Sequence, residues 1–103
     1  MFPPASLTDS LSLFTETVAD SRHQFATLAA AAPRALFCDH YPCPAPSPDG
    51  SALFTDVAWL GSDGAHKVLV LISGTHGAEG WAGSAVQADF LTEATRHNWQ
   101  PPA

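Results

Sequence analysis

The segment Lys67-Val68-Leu69-Val70-Leu71-Ile72-Ser73-Gly74-Thr75-His76-Gly77-Ala78-Glu79-Gly80 decides how this chain is read. From Val68 to Ile72 it is apolar at every position, partly β-branched, and shows no alternation with polar residues. A strand covered on both faces has this pattern, whereas a half-covered strand alternates. Gly74 to Gly80 is a glycine-punctuated loop, and from Trp81 to about His97 apolar residues return at helical spacing. Strand, loop and helix in that order put the loop at the carboxyl edge of a sheet, where open α/β folds bind ligands.

Outward from this segment, Ala82, Val86, Phe90 and Ala94 form one row of the downstream helix, and Ala85, Ala88 and Leu91 widen it. So broad an apolar face predicts a helix packed closely on a sheet, stopped by Asn98 and Pro101-Pro102. Upstream, Gly61-Ser62-Asp63-Gly64 is a turn, and Leu53 to Leu60 reads as a strand. The stretch Ala35 to Tyr41 alternates, with Leu36 and Cys38 on one face and Phe37 on the other. Between these two strands, Pro42 to Gly50 ends in the turn signal Pro48-Asp49-Gly50, and so short a connector predicts antiparallel pairing. Leu11, Phe14, Val18, Phe25, Leu28 and Ala32 predict a first helix over 11–32, capped by Ser12 or Thr15 and ended by Pro33. The expected order is helix-strand-strand-strand-helix in an α/β arrangement.

Composition narrows the function. The 103 residues are 46% hydrophobic and only 14% charged, enough apolar content for a core. Four Lys and Arg against ten Asp and Glu give a formal charge of −6 with no basic stripe, which excludes a phosphate-backbone binder; no nucleic-acid partner is expected. The longest strongly apolar run, Val68 to Ile72, is far short of the ~20 residues that cross a bilayer, so no membrane partner is expected either. Met1-Phe2-Pro3-Pro4 reads as no signal peptide, and a cytoplasmic protein is expected. Cys38 and Cys43 are expected to be structural thiols. A Cys38, His40, Cys43 metal knuckle conflicts with the prolines at 42, 44, 46 and 48 and with the lack of a fourth ligand at a usual spacing.

The chemistry concentrates in Ser73 to Gly80. An anion cradle is disfavoured, because the loop matches no phosphate-binding glycine pattern and carries a carboxylate. His76 and Glu79, three residues apart where the chain turns into a helix, can converge as nitrogen and oxygen donors for Zn²⁺. Gly77 and Gly80 would let the backbone turn tightly there. From these residues alone a second reading stays open, in which His76 hydrogen-bonds its loop and Glu79 caps the helix.

The continuous stretch Val68 to Gln87, with Ser73-Gly74-Thr75-His76-Gly77-Ala78-Glu79-Gly80 followed by Trp81-Ala82-Gly83-Ser84, resembles the zinc-binding segment of the carboxypeptidase A-like metallopeptidase superfamily. More closely it is similar to a bacterial branch of that superfamily catalogued as a domain of unknown function. Thr55 to Gly61 looks like the strand that precedes the motif there, and the first helix fits the branch's opening. The resemblance implies the amino-terminal part of a zinc-carboxypeptidase-like mixed sheet with flanking helices. It implies residues 1–103 as one portion of a single domain, with Zn²⁺ as cofactor and His76 and Glu79 as its first two ligands. The third ligand, a histidine, the general-base glutamate and the basic residues that hold the substrate carboxylate would come from later segments. No catalytic residue is therefore expected in this chain. His23, His40, His66 and His97 are expected to be surface or packing residues, and only residue type would nominate Asp56 or Glu93 as a base.

The expected substrate is a peptide, with hydrolysis at its amide bond. An N-acyl amino acid deacylase of the aspartoacylase or succinylglutamate desuccinylase type shares the Gly-x-His-Gly-x-Glu pattern, but the aromatic-x-Gly-Ser stretch favours the peptidase branch. A non-catalytic fragment or binding module is the third reading, because two ligands hold zinc poorly. A two-sided strand without neighbours would also leave an apolar edge that invites self-association.

Overall fold

A computed structural model describes residues 10–75 and 79–102. Helix α1 spans Val18–Ala31, strand β1 Ala35–Pro42, strand β2 Phe54–Leu60 and helix α2 Gly80–Arg96. The expected start of the first helix moves inward by almost two turns. Thr17, extended at φ −130 and ψ 157, is the N-cap; its hydroxyl accepts the Asp20 N–H at 3.0 Å, and Asp20 places negative charge in the first turn. Leu11 and Phe14 belong instead to a separate turn tied back by Gln24, whose side chain donates to the Leu13 carbonyl at 2.9 Å. At the other end Pro33 holds Ala32 extended, as expected.

The strands β1 and β2 pair antiparallel, with Phe37 opposite Trp59, Cys38 opposite Ala58 and His40 opposite Asp56. Their connector closes at Pro48-Asp49-Gly50: the Gly50 N–H donates to Ser47 at 2.8 Å, and Gly50 takes a φ of 87°, which glycine adopts without steric cost. The Asp49 carboxylate accepts the backbone N–H and the hydroxyl of Ser51, bonds that hold its pKa below the usual carboxylate range.

Ala29, Ala32 and Leu91 form the core, with Phe25, Leu28, Ala58, Leu60 and Phe90 packed around them. Helix α2 buries Ala85, Ala88, Leu91 and Ala94. It ends in a Schellman motif: Asn98 is left-handed at φ 49°, its N–H donates to Thr95, the Trp99 N–H reaches back to Ala94, and the Trp99 ring packs edge-on to Phe90. The stop at Asn98 is the expected one.

Two expectations are corrected. Among the described residues the sheet has two strands, and Lys67–Ser73 joins no ladder. Instead of being covered on both faces, Val68, Leu69, Val70, Leu71 and Ile72 are 54–83% exposed. A strand needs a partner for its N–H and C=O groups, and a two-faced one also a layer over each face; the described residues give this segment only α2 on one side. For the same reason α2 does not lie on a sheet. It packs against α1, and Val86, expected in its buried row, is exposed. Among the described residues no helix is long and apolar enough to cross a membrane.

Candidate functional site

The segment before the loop is pinned to α2 at close range. The Gln87 side chain donates to the Leu71 carbonyl at 2.8 Å. A Cβ added at Gly83 would lie 3.1 Å from the Ser73 Cβ, and one at Gly80 would lie 3.1 Å from the Gly74 Cα. Gly80 and Gly83 therefore let the helix meet the chain backbone to side chain without an intervening layer. Gly74, at φ 66°, turns the chain out of the segment in a conformation that favours glycine.

Where these pieces meet, a cleft of about 490 Å³ opens between α1, the start of β2, residues 72–75 and the first turn of α2. Its volume falls in the range of small-molecule sites. Ser21 and Ser84 share a hydroxyl–hydroxyl hydrogen bond of 2.7 Å between the two helices that border it. On the wall formed by α1 and β2, Arg22 grips Asp56 through two parallel bonds, Nε to Oδ2 at 2.7 Å and Nη2 to Oδ1 at 2.8 Å. The guanidinium carbon also sits 4.3 Å from the centre of the Phe54 ring. Asp56 holds the Arg22 pKa above its ordinary value, chiefly by the side-chain hydrogen bond; burial opposes this, and the Asp56 charge adds a lesser upward push.

Of the two predicted ligands, Glu79 is the N-cap residue of α2, with an exposed side chain that makes no capping hydrogen bond. Among the described residues the helix-capping reading of Glu79 is thus not the one adopted. His76, with Gly77 and Ala78, lies outside the described residues. The described residues contain no group of three His, Cys, Asp or Glu side chains able to hold a metal ion.

The remaining candidates are dispersed. His23 and His66 are exposed, and His40 packs edge-on to Phe54 with ring centroids 5.3 Å apart. His97 and Arg96 both bind the buried Glu93 at the far end of α2, at 3.1 and 2.9 Å. Glu93 is therefore remote from the cleft and engaged, whereas Asp56 borders the cleft but is held by Arg22. Cys38 and Cys43 are free and exposed. The Cys38 thiol is pushed up in pKa, first by desolvation and then by the charges of Asp56 and Asp39. Sequence reasoning missed the Arg22–Asp56 pair and the Ser21–Ser84 bond, because their partners lie 34 and 63 residues apart and no local spacing signals them.

A two-stranded hairpin with two helices, and a glycine-rich junction opening onto a cleft, define an α/β unit with its candidate site at the start of α2. The family described as "Protein of unknown function (DUF2817)" matches residues 14–103, and the chain belongs to that family. No curated protein and no solved structure matches the chain.

Proposed function

We propose that this chain is the amino-terminal part of a zinc-dependent hydrolase of peptide or amide bonds, related to the carboxypeptidase A-like superfamily. His76 and Glu79 would be its first two zinc ligands. The observation that carries the reading is the junction itself: Glu79 precedes α2 with a side chain that makes no capping hydrogen bond, and the next residue, Gly80, lines a cleft of about 490 Å³. An imidazole nitrogen and a carboxylate oxygen suit Zn²⁺. A histidine and a glutamate from a later segment of a longer protein would complete the set. When bound, zinc polarises a carbonyl and lowers the pKa of a coordinated water.

The chain's own residues set the stage for that chemistry. Gly80 and Gly83 bring α2 against residues 73–74, and Gln87 fixes the Leu71 carbonyl. Together they hold the two ends of the ligand-bearing loop. The hydroxyls of Ser21 and Ser84 and the Arg22–Asp56 pair supply polar groups at the cleft wall. Alone, the chain is expected to be inactive and to bind zinc weakly, since two ligands leave a site that is not preorganised.

In an intact family member, the equivalents of His76→Ala and Glu79→Gln are expected to abolish zinc retention through purification, while the equivalent of Glu93→Gln keeps it. Full metal retention in the first two variants would refute the assignment. Peptides with free C-termini, set against N-acyl amino acids as substrates of that intact protein, separate a peptidase from a deacylase. Turnover confined to the N-acyl compounds would favour the deacylase.

A further inference from the structure

We propose that residues 67–73 form a docking strand for a second copy of this chain, which pairs with it antiparallel about a twofold axis at Val70. Val68, Leu69, Val70, Leu71 and Ile72 are 54–83% exposed, and among the described residues their backbone groups join no ladder. The apolar surface continues onto α2 through a groove of about 400 Å³ lined by Val70, Leu71, Ile72, Gly83, Val86 and Phe90, with Val86 itself exposed. Residues 68–72 and Val86 together leave on the order of 700 Å² open per copy, close to the ~800 Å² that each partner buries in a standard stable interface.

Charge selects the occupant and its direction. The chain carries a formal charge of −6, yet residues 64–75 contain no Asp or Glu and a single Lys, so two copies meet here with the least repulsion. Antiparallel pairing about Val70 sets Lys67 opposite the second copy's Ser73, whereas parallel pairing would stack Lys67 on Lys67. Every other pair is apolar: Val70 meets its own copy, Val68 meets Ile72 and Leu69 meets Leu71.

The contact with α2 selects the edge. Gln87 occupies the Leu71 carbonyl at 2.8 Å. In an extended strand the N–H and C=O of one residue point to the same edge, and those of the next residue to the other. The backbone groups of Val68, Val70 and Ile72 therefore turn away from Gln87. With Val70 opposite Val70, these are the residues that exchange paired hydrogen bonds. Such strand addition uses main-chain bonds for affinity and side-chain fit for register, and one self-complementary patch closes the dimer. The surface does not depend on the zinc reading.

Sedimentation equilibrium of the chain is expected to show a reversible monomer–dimer equilibrium. Val70→Lys, at a side chain 69% exposed, is expected to give a monomer with an unchanged circular dichroism spectrum. Register is read by oxidised-glutathione cross-linking in a Cys38→Ser, Cys43→Ser background carrying one new cysteine. Val70→Cys meets its own copy and is expected to form disulfide dimers roughly tenfold faster than Val68→Cys, which lies opposite Ile72 and beyond disulfide reach of its own copy. A monomer at every concentration would overturn the proposal and leave the segment to a different occupant. Open-ended aggregation without a dimer plateau would overturn the closed twofold contact. Equal cross-linking at positions 68 and 70 would overturn the antiparallel register. If Val70→Lys loses its fold, the cross-linking rates decide alone.

Discussion

Two stretches of this chain, β1 and Lys67–Ser73, are both rich in apolar residues and both exposed, yet only one is a strand. In β1, Leu36, Phe37 and Tyr41 are 40–55% exposed, and the strand persists because β2 meets its backbone groups through a regular antiparallel register. The Phe37 and Trp59 rings stack at 6.0 Å across it. Lys67–Ser73 has the stronger β pattern in sequence and the greater exposure in the structure. What separates them is a ladder partner. Burial and β-propensity describe what a strand prefers, but the hydrogen bonds come from a neighbour.

Removing the cross-strand ring should do the most damage. Trp59→Ala is expected to lower unfolding free energy by about 1–3 kcal/mol, through lost burial and the stacked pair. Leu69→Ala, also a large apolar deletion, should stay within about 0.5 kcal/mol because the side chain is 83% exposed. Urea denaturation of both variants measures the gap, and equal losses would mean that residues 67–73 are packed after all.

Charge placed on the open segment addresses the same contrast from outside. The wild-type chain is expected to self-associate with rising concentration through its exposed apolar run, and Val70→Lys should shift sedimentation toward the monomer with little change in stability. Association unaffected by Val70→Lys would move the sticky surface elsewhere.

Gly83→Ala probes how firmly the segment is held. Alanine gains up to about 1 kcal/mol of helix propensity, but its Cβ would press on Ser73 at 3.1 Å. Because Gln87 ties the segment to α2, the few tenths of an ångström required are opposed, and a net loss of up to about 1 kcal/mol in thermal or chemical stability is expected. A gain would show that the segment yields.

Cys38 offers the smallest effect. Its raised pKa means that the folded state keeps the thiol proton after the unfolded chain has released it. That contribution is absent at neutral pH, and stability falls slightly as pH rises from the ordinary thiol value toward the folded one. In a Cys43→Ser variant, iodoacetamide alkylation should have a pH midpoint above the ordinary thiol range when folded and return to that range in urea. An unchanged midpoint would mean that neither desolvation nor the charges of Asp56 and Asp39 act on the Cys38 thiol.

The hairpin was legible because Pro48-Asp49-Gly50 is local turn chemistry, and the end of α2 because Asn98 suits a left-handed residue. The start of α1 was misread because Leu11 and Phe14 continue the apolar spacing, whereas Thr17 starts the helix by capping its first turn; periodicity does not register that competition. The two-faced covering of residues 67–73 was misread because composition states a demand and not whether a neighbour meets it. Beside the cleft, the helix that begins at Gly80 was legible from its apolar spacing. Arg22 and Asp56 were visible only as a polar helix position and an acidic strand residue until the tertiary fold joined them.

The central claim, that His76 and Glu79 hold zinc, is tested most directly by calorimetric zinc titration of the chain beside His76→Ala and Glu79→Gln. One weakly bound equivalent is expected in the wild type and none in either variant, with the fold retained in all three. Zinc binding by both variants at wild-type strength would contradict it.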